Sequence, residues 1–496
     1  MFVSQYVCLT TFTLLYLVSY LNTECYGFHI LDHADPNFTS RIRRENCGFR
    51  CANGECIARH QKCDGKSDCS DNSDESSEIC GGTPSVTSPP LPAGSCALPP
   101  QPANGAYTVN ISSTIHLLTY SCSPGYQIYP SSNNAVAICD SGKWHTSFSE
   151  CLQTCSPRIS ESVDTDCEHE GIKVDCSKPM LEGTTVRMNC KHFYSQVDSS
   201  ANRVSVCRDG SWDYSFIKCT PECGNSVPQA TTFILGGEII KKITYPWHVG
   251  IYKLNATNQY DQVCGGSIIS RKMILSAAHC FTAYMNGAPH DVKQYAIAAG
   301  KYYRHYYDER DTLSQTRTVK QVIIPEKYKG LLMSFTADIA FVILDKAFEL
   351  TLVVQPVCID WYNKYEAAQL TENNIGTVVG WGYTVEGKSP SAELKQLSVP
   401  FVNRETCLNA VPENFVRFVA RDKFCAGFRN GSSVCQGDGG GGLAFLLPDN
   451  NKYYLRGLVS VGPTKDGQCD PEQYVAYTKV SDYMDMLQAT ELTTKV

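Results

Sequence analysis

The chain has 496 residues, more than one compact domain usually holds, so about two to four domains are expected. It carries 43 lysines and arginines against 50 aspartates and glutamates, a formal net charge of −7. This mild acidity argues against a nucleic-acid-binding protein, because such proteins carry basic patches. The 26 cysteines exclude a reducing cytosol and predict a secreted, disulfide-bonded protein.

The N-terminus predicts a signal peptide over residues 1–27, followed by an N-terminal segment over 28–46. The apolar stretch at 8–20 is too short to span a bilayer, and small residues near Cys25 and Gly27 suit signal-peptidase cleavage. No lysine or arginine precedes this stretch, which is unusual for a signal peptide. No later stretch is apolar enough to span a membrane, so a secreted, extracellular protein is expected.

Cysteines and sequons fit the same compartment. Without Cys8 and Cys25, 24 cysteines remain in groups of six, four, six and eight, so each domain can close its own disulfides. The candidate glycosylation sites are Asn37, Asn110, Asn255 and Asn430.

Residues 47–80 hold six cysteines in a span too short for a hydrophobic core, so this unit needs disulfides or a metal. Its segment CDGKSDCSDNSDE places Asp64, Asp68, Asp74 and Glu75 in one short loop. Four carboxylates repel one another unless a hard cation gathers them, and an all-oxygen set favours calcium.

This CDGxxDCxDxSDE pattern resembles a low-density-lipoprotein-receptor class A repeat. The resemblance implies that the backbone carbonyls of Gln61 and Lys66 complete a structural Ca²⁺ site with the four carboxylates. It also implies the disulfides Cys47–Cys56, Cys51–Cys69 and Cys63–Cys80. The short gap between Cys47 and Cys51 departs from the family pattern.

Residues 81–95 are rich in Pro, Gly and Ser and predict a semi-extended linker. Residues 96–151 contain four cysteines with YSCSPGY and GKW between them and resemble a sushi (complement control) module. The resemblance implies the pairs Cys96–Cys139 and Cys122–Cys151 around Trp144. Residues 155–219 hold six cysteines and a second tryptophan motif, so they resemble a related module whose disulfide pairing stays open.

Residues 234–496 follow a predicted activation segment at 220–233. Short apolar runs such as HVGIYKL, IAFVILD and YYLRGLVSV alternate with turn residues and predict antiparallel β barrels, with one terminal helix over SDYMDMLQA. The expected fold class is therefore multidomain and mainly β, with small disulfide-rich modules ahead of a two-barrel domain.

Three motifs in this half resemble the chymotrypsin family in its chain order: His279 in LSAAHC, Asp338 in TADIAFVIL, and CQGDGGGGL at 435–443. The resemblance implies that Asp338 orients His279, which takes the proton of a serine nucleophile. Gly439 stands where the family has that serine. The N–H groups of Gly437 and Gly439 would still form an oxyanion hole.

The zymogen switch of that family also has counterparts here. FILGG at 233–237 resembles the activation site, so cleavage between Phe233 and Ile234 would free an amine that pairs with Asp438. The remaining expected disulfides are Cys223–Cys358, which would join the two products, Cys264–Cys280, Cys407–Cys425 and Cys435–Cys469. A further bridge of many relatives is missing, and Phe445 stands at one of its positions.

The resemblance also places a specificity pocket. Its floor would be Ser433, which is uncharged, and Val475 would narrow it where many relatives have glycine. Ser460 and Gly462 would lie on the strand that binds the substrate backbone. An apolar, medium-sized side chain is the expected preference.

The order of modules resembles the modular serine proteases of arthropod immunity, apart from a single class A repeat and Gly439. That resemblance implies pattern-recognition proteins and cascade protease zymogens as partners, in a haemolymph-like fluid and a cascade of the Toll or prophenoloxidase type. Three hypotheses remain: a non-catalytic homologue, which the sequence as written favours; an active initiating protease in which Gly439 is a variant or an error; and a passive recognition protein.

Overall fold

The computed structural model describes residues 49–57, 61–62, 66–76, 79–80, 96–111, 115–129, 135–145, 148–227, 234–235, 238–239, 243–383 and 389–494. The predicted signal peptide, N-terminal segment and linker lie outside these residues, and so do Asn37, Cys47, Cys63, Asp64 and Phe233. The described residues divide into two units between Ala93 and Gly94. No helix among them is long and apolar enough to cross a membrane.

The first unit contains a two-stranded antiparallel hairpin, β1 (Phe49–Arg50) and β2 (Cys56–Ile57), and a 3-10 turn over Ser73–Glu75. Its best-buried side chains are Asp74 and the disulfide Cys51–Cys69. Cys56 and Cys80 are also disulfide-bonded, but their predicted partners lie outside the described part of the chain. A disulfide thus takes the place of an apolar core, as the length of the unit requires.

Residues 96–155 fold into a second small module around the disulfides Cys96–Cys139 and Cys122–Cys151. Its core is Leu118, Tyr120 and Ala137, with Trp144 packed against them. Its strands are β3 (Gly105–Ile111), β4 (Ile115–Cys122), β5 (Tyr126–Tyr129), β6 (Val136–Asp140), β7 (Lys143–Trp144) and β8 (Glu150–Cys155), and β3, β4, β6 and β7 form one sheet.

The six-cysteine module follows with the disulfides Cys155–Cys207, Cys167–Cys176 and Cys190–Cys219, a pairing that the sequence left open. Strand β8 pairs with β5 on one side and with β11 on the other, so the two modules share one strand. The strands are β9 (Val163–His169), β10 (Ile172–Val174), β11 (Met180–Leu181), β12 (Thr185–Cys190), β13 (Tyr194–Gln196), β14 (Val204–Arg208), β15 (Ser211–Trp212) and β16 (Cys219–Pro221).

The C-terminal half contains the two closed six-stranded antiparallel barrels that the sequence predicts, after a short ladder of β17 (Ile234–Leu235) and β18 (Glu238–Ile239). The first barrel has the order β19-β20-β21-β24-β23-β22. Its strands are β19 (His248–Leu254), β20 (Tyr260–Ser270), β21 (Met273–Ser276), β22 (Tyr295–Ala299), β23 (Gln315–Ile323) and β24 (Ala340–Leu344).

The second barrel has the order β25-β26-β27-β32-β29-β28. Its strands are β25 (Ile375–Gly380), β26 (Lys395–Val402), β27 (Lys423–Ala426), β28 (Gly442–Leu447), β29 (Lys452–Val461) and β32 (Val475–Lys479). Two short strands, β30 (Thr464–Lys465) and β31 (Gln468–Cys469), form a separate hairpin. The disulfides Cys407–Cys425 and Cys435–Cys469 lie in this half.

The helices are α1 (Glu366–Gln369), α2 (Arg404–Ala410) and α3 (Met484–Thr494), which a 3-10 turn over Val480–Tyr483 precedes. The sequence analysis predicted the last helix and missed α2. Asn403 caps α2 by accepting a hydrogen bond from the backbone N–H of Thr406 at 2.8 Å, a local signal that could have revealed it.

Candidate active site

His279 and Asp338 meet because the strands before and after them pair. His279 lies in a 3-10 turn just after β21, Asp338 lies just before β24, and Ser276 pairs with Ala340 between these strands. The Nδ1 atom of His279 is 2.8 Å from Oδ2 of Asp338, and its backbone N–H donates to Oδ1 at 2.9 Å. The disulfide Cys264–Cys280 holds the turn from its other side.

Asp338 is fully buried and accepts a third hydrogen bond, from the hydroxyl of Ser460 at 2.6 Å. Burial alone would raise the pKa of Asp338, but the charge and hydrogen bonds of His279, with smaller effects of Lys423 and Ser460, lower it below the ordinary value. The carboxylate therefore stays ionised and fixes the orientation of the imidazole ring.

Backbone hydrogen bonds hold the four-glycine loop at 439–442. The carbonyl of Gly439 accepts from Gly265 N at 2.9 Å, and the N–H of Gly440 donates to Val459 O at 2.8 Å. A Cβ atom at Gly440 or Gly442 would overlap a serine hydroxyl, and Gly440 also has φ +74°. These positions require glycine because no side chain fits.

Gly439 differs from Gly440 and Gly442 in the group that it faces, which is the imidazole ring of His279. Its φ lies outside the left-handed region, and a Cβ atom there would meet a side chain, with His279 Nε2 at 2.5 Å and Cε1 at 3.1 Å. The imidazole ring therefore stands in space that a serine side chain would need. The sequence analysis singled out Gly439 but did not predict its contact with the imidazole ring of His279.

Gly437 has φ +95°, a left-handed backbone that favours glycine. Its carbonyl accepts a hydrogen bond from Gln262 Nε2 at 2.8 Å, and the same amide also donates to Cys264 O. Within the described part of the chain, neither Gly437 nor Gly439 donates its N–H to a partner. Both donors are thus available to a ligand, and Gln262 is a supporting residue that the sequence analysis missed.

Asp438 is a buried carboxylate beside a cavity. It accepts hydrogen bonds from Gly382 N at 2.8 Å and Cys435 N at 3.0 Å, and burial raises its pKa to about 6. No lysine, arginine or histidine of the described residues forms an ion pair with it. The cavity next to it holds about 300 Å³ and is lined by Gly380, Tyr383, Lys395, Leu397, Ser432 and Val434, among others.

The predicted specificity residues fall in two places. Ser433 lines the cavity beside Asp438 and donates to Val434 O at 3.2 Å, whereas Ser460, Gly462 and Val475 do not line it. Val475 is buried, and its Cγ2 atom lies 3.3 Å from the position of a Cβ atom at Gly462. Val475 therefore lies against Gly462, and the narrowing of a pocket by Val475 stays a prediction.

Three of the predicted calcium ligands lie close together in the first unit. Asp74 is fully buried and accepts from the backbone N–H of Asp68 at 2.7 Å, and the side-chain amide of Gln61 donates to Asp68 Oδ1 at 3.0 Å. Glu75 Oε1 is buried and makes no hydrogen bond to the described residues. A buried carboxylate oxygen in this setting fits a bound hard cation. Lys66 is exposed, and Asp64 lies outside the described residues.

The described sequons differ in their surroundings. Asn110 and Asn430 are exposed. Asn255 is half-buried, and its side-chain oxygen accepts hydrogen bonds from Thr257 and Gln259 while its amide donates to Asp261.

Comparisons with known proteins agree with this architecture. The profile described as "Trypsin" matches residues 234–487, "Low-density lipoprotein receptor domain class A" matches 45–80, and "Sushi repeat (SCR repeat)" matches 96–151. The chain is 30% identical over 462 residues to "Modular serine protease" of Drosophila melanogaster, covering 88% of this chain and 71% of that protein.

Two further relatives match a smaller share of the chain. "Clotting factor C" of Tachypleus tridentatus is 31% identical over 313 residues, which is 62% of this chain and 30% of that protein. "Coagulation factor IX" of Cavia porcellus is 31% identical over 254 residues, which is 51% of this chain and 79% of that protein. Together with the two closed barrels, these matches place the chain in the trypsin family of serine proteases, with extracellular-type modules ahead of the protease domain.

Proposed function

We propose that this chain is a secreted serine protease homologue without proteolytic activity, which binds and organises other proteins of an extracellular protease cascade. The observation that carries the proposal is Gly439, opposite His279 in a site whose other parts are assembled. Glycine offers no nucleophile, and losing the nucleophile of such a site costs on the order of 10⁶-fold in turnover.

A fluorophosphonate probe, which labels activated serines, tests the proposal. The chain, cut beforehand between Phe233 and Ile234, should remain unlabelled under conditions that label an ordinary trypsin completely. Labelling of one serine per chain within the cleft would overturn the proposal. A cut Gly439→Ala variant is the matched control, because any signal that it shares with the parent does not come from residue 439.

The names of the relatives and the extracellular modules support a role in a cascade. In this proposal the domain boundaries are those expected from the sequence, from the class A module at 47–80 to the protease-like domain at 234–496. Ca²⁺ stabilises the class A module. The modules contact pattern-recognition proteins, the protease-like domain contacts protease zymogens, and the fluid is haemolymph-like. Capture of a recombinant cascade zymogen by the full chain, lost on deletion of residues 234–496, is the expected result.

A second candidate function is an active initiating endopeptidase that cleaves after apolar residues. The intact His279–Asp338 pair and the available N–H groups of Gly437 and Gly439 favour it, because an enzyme disarmed long ago has no need of them. This candidate requires a serine codon at position 439 in the gene. Sequencing that codon from genomic DNA decides between the two. A passive recognition protein, the third hypothesis, would bind no zymogen through its protease-like domain.

A further inference from the structure

Lys423 is a buried lysine next to the His279–Asp338 pair, and the sequence analysis did not single it out. It is the first residue of β27, pairs with Thr478 of β32, and is 2% exposed. Its Nζ atom donates to Thr478 Oγ1 at 3.1 Å, and that hydroxyl donates in turn to the backbone carbonyl of Asp338 at 2.9 Å. One buried hydroxyl therefore separates the ammonium group from the backbone of Asp338.

Two carboxylates attract this ammonium group. Burial lowers the pKa of Lys423 below its ordinary value, and the negative charges of Asp338 and Asp422 offset only part of this effect. Asp422 is held in place, because its Oδ2 atom accepts from Ala337 N at 2.8 Å and from the hydroxyl of Tyr483 at 2.6 Å. An isolated buried charge is costly, so a lysine in this position is stabilised through its acidic neighbours.

The other titratable groups that face these two acids are a histidine, two tyrosines and a further aspartate. They are His279 and Tyr328 beside Asp338, and Tyr483 and Asp482 beside Asp422. Lys479 lies nearby and pairs with Glu366 at 2.8 Å and with Asp482 at 3.7 Å. Within the described residues, Lys423 is thus the buried cation that acts on the carboxylate of Asp338.

A protonated Lys423 next to Asp338 opposes the role that this aspartate has in a working triad. There, the negative charge of the aspartate stabilises the imidazolium that forms when the histidine accepts the serine proton. Like charges repel strongly where water is excluded, so a buried ammonium group disfavours that imidazolium.

We propose that Lys423 is a buried counter-ion of Asp338 that weakens His279 as a proton acceptor, so that the chain departs from a working protease at a second position besides Gly439. This inference rests on the proposed function and deepens it. Lys423 touches no reacting atom, and it acts only through the charge of Asp338.

The decisive experiment does not need turnover. Full-length protein with ¹³C-labelled histidine rings is titrated by NMR, and the signal of His279 is the one lost in His279→Gln. In Lys423→Gln, which keeps a donor for Thr478 but removes the charge, the pH midpoint of this signal should rise by about half a unit or more. The exposed control Lys346→Gln should leave it unchanged. An unchanged or lower midpoint in Lys423→Gln overturns the proposal.

Folding is checked by thermal denaturation, and Lys423→Met serves as a second uncharged variant if the glutamine variant does not fold. A rate measurement adds an independent test. After cleavage before Ile234, Gly439→Ser/Lys423→Gln should exceed Gly439→Ser in kcat by about tenfold with little change in KM. If both are inactive, the NMR titration alone decides.

The two proposals fail in different ways. Turnover by the parent chain would refute the lack of activity and leave the counter-ion to be judged by titration. If the pH midpoint of His279 is unchanged in Lys423→Gln, the proposed role of Lys423 is refuted, and the proposed lack of proteolytic activity is unaffected.

Discussion

The Nε2 atom of His279 lies 2.5 Å from the place that a Cβ atom would take on Gly439. Contacts of real Cβ atoms are longer, so a serine at position 439 requires the imidazole ring to move. The ring is held at its other edge by Asp338, 2.8 Å from Nδ1. The imidazole ring of His279 thus lies between the carboxylate of Asp338 and the place of a Cβ atom on residue 439.

This contact changes what is expected of Gly439→Ser. From the sequence alone, serine adds little volume and restores proteolysis after apolar residues. With the ring in its present place, we expect the serine variant, cut before Ile234, to react with a fluorophosphonate at least tenfold more slowly than an ordinary trypsin-family enzyme, because the ring must first shift. The measurement is the second-order labelling rate. Gly439→Ala is the control, since it adds the Cβ atom without a nucleophile and should not react. If Gly439→Ser is labelled as fast as an ordinary enzyme, the imidazole ring moves freely and the prediction is wrong.

Asp438 should make the uncut chain less stable as the pH rises. Burial raises its pKa from 3.8 to about 6, so the folded state holds the proton more tightly than the unfolded chain does. The stabilising effect is fully present below about pH 4 and is lost as the pH passes through 6, a difference of about 3 kcal/mol at most. Asp438→Asn should therefore unfold at higher denaturant concentration than the parent at pH 7.5, and the difference should be much smaller at pH 4.5.

The control for this experiment is Asp449→Asn, which removes an exposed carboxylate from the same half of the chain. This variant should unfold at the same denaturant concentration as the parent at both pH values. The prediction is wrong if the free energy of unfolding of the parent is the same at pH 4.5 and 7.5 and Asp438→Asn does not raise it.

Calcium should bind the class A module through Glu75. Its Oε1 atom is buried and makes no hydrogen bond to the described residues, so the metal supplies its expected partner. Glu75→Gln in the full chain should weaken Ca²⁺ binding by tenfold or more in isothermal titration calorimetry. Asp71→Asn removes a carboxylate from the same loop that already bonds Ser73, and it should bind nearly as the parent does. An equal loss of Ca²⁺ affinity in both variants would indicate that the module attracts Ca²⁺ through its overall negative charge and has no defined site.

Cleavage between Phe233 and Ile234 should leave two products that stay joined. Cys223 and Cys358 form a disulfide across 135 residues, one in the segment before the cut and the other in the protease-like domain. A protease of apolar specificity should make the cut, and the products should separate on gels only after reduction. In Cys223→Ser/Cys358→Ser they should separate without reductant. Cleavage by trypsin at a basic residue alone would contradict the assignment of Ile234.

Cleavage should also engage the cavity beside Asp438. The new amine of Ile234 is expected to enter it and pair with the carboxylate, which removes the cost of burying Asp438 alone. The amine should then resist acetylation in the folded cut chain and react in Asp438→Asn, as peptide mass spectrometry can measure. Equal reaction in both would show that the amine stays outside.

The sequence by itself determined the order of the modules, the barrels and the positions of His279, Asp338 and Gly439. These features rest on short motifs and on alternating apolar runs, and such signals depend on neighbours along the chain. The run HVGIYKL coincides with β19, for example. Local patterns of this kind therefore suffice to name His279, Asp338 and Gly439 as residues of the candidate site.

Only the tertiary structure decided how residues far apart in sequence share one site. It brings Lys423 to Thr478 and Asp338, places the ring of His279 against Gly439, and joins Gln262 to Gly437. It also pairs the six cysteines of 155–219, for which the spacing allowed several connectivities. The physical reason is that these contacts arise when strands separated by tens to hundreds of residues pack together, and a buried charge or a filled space leaves no pattern in the linear sequence.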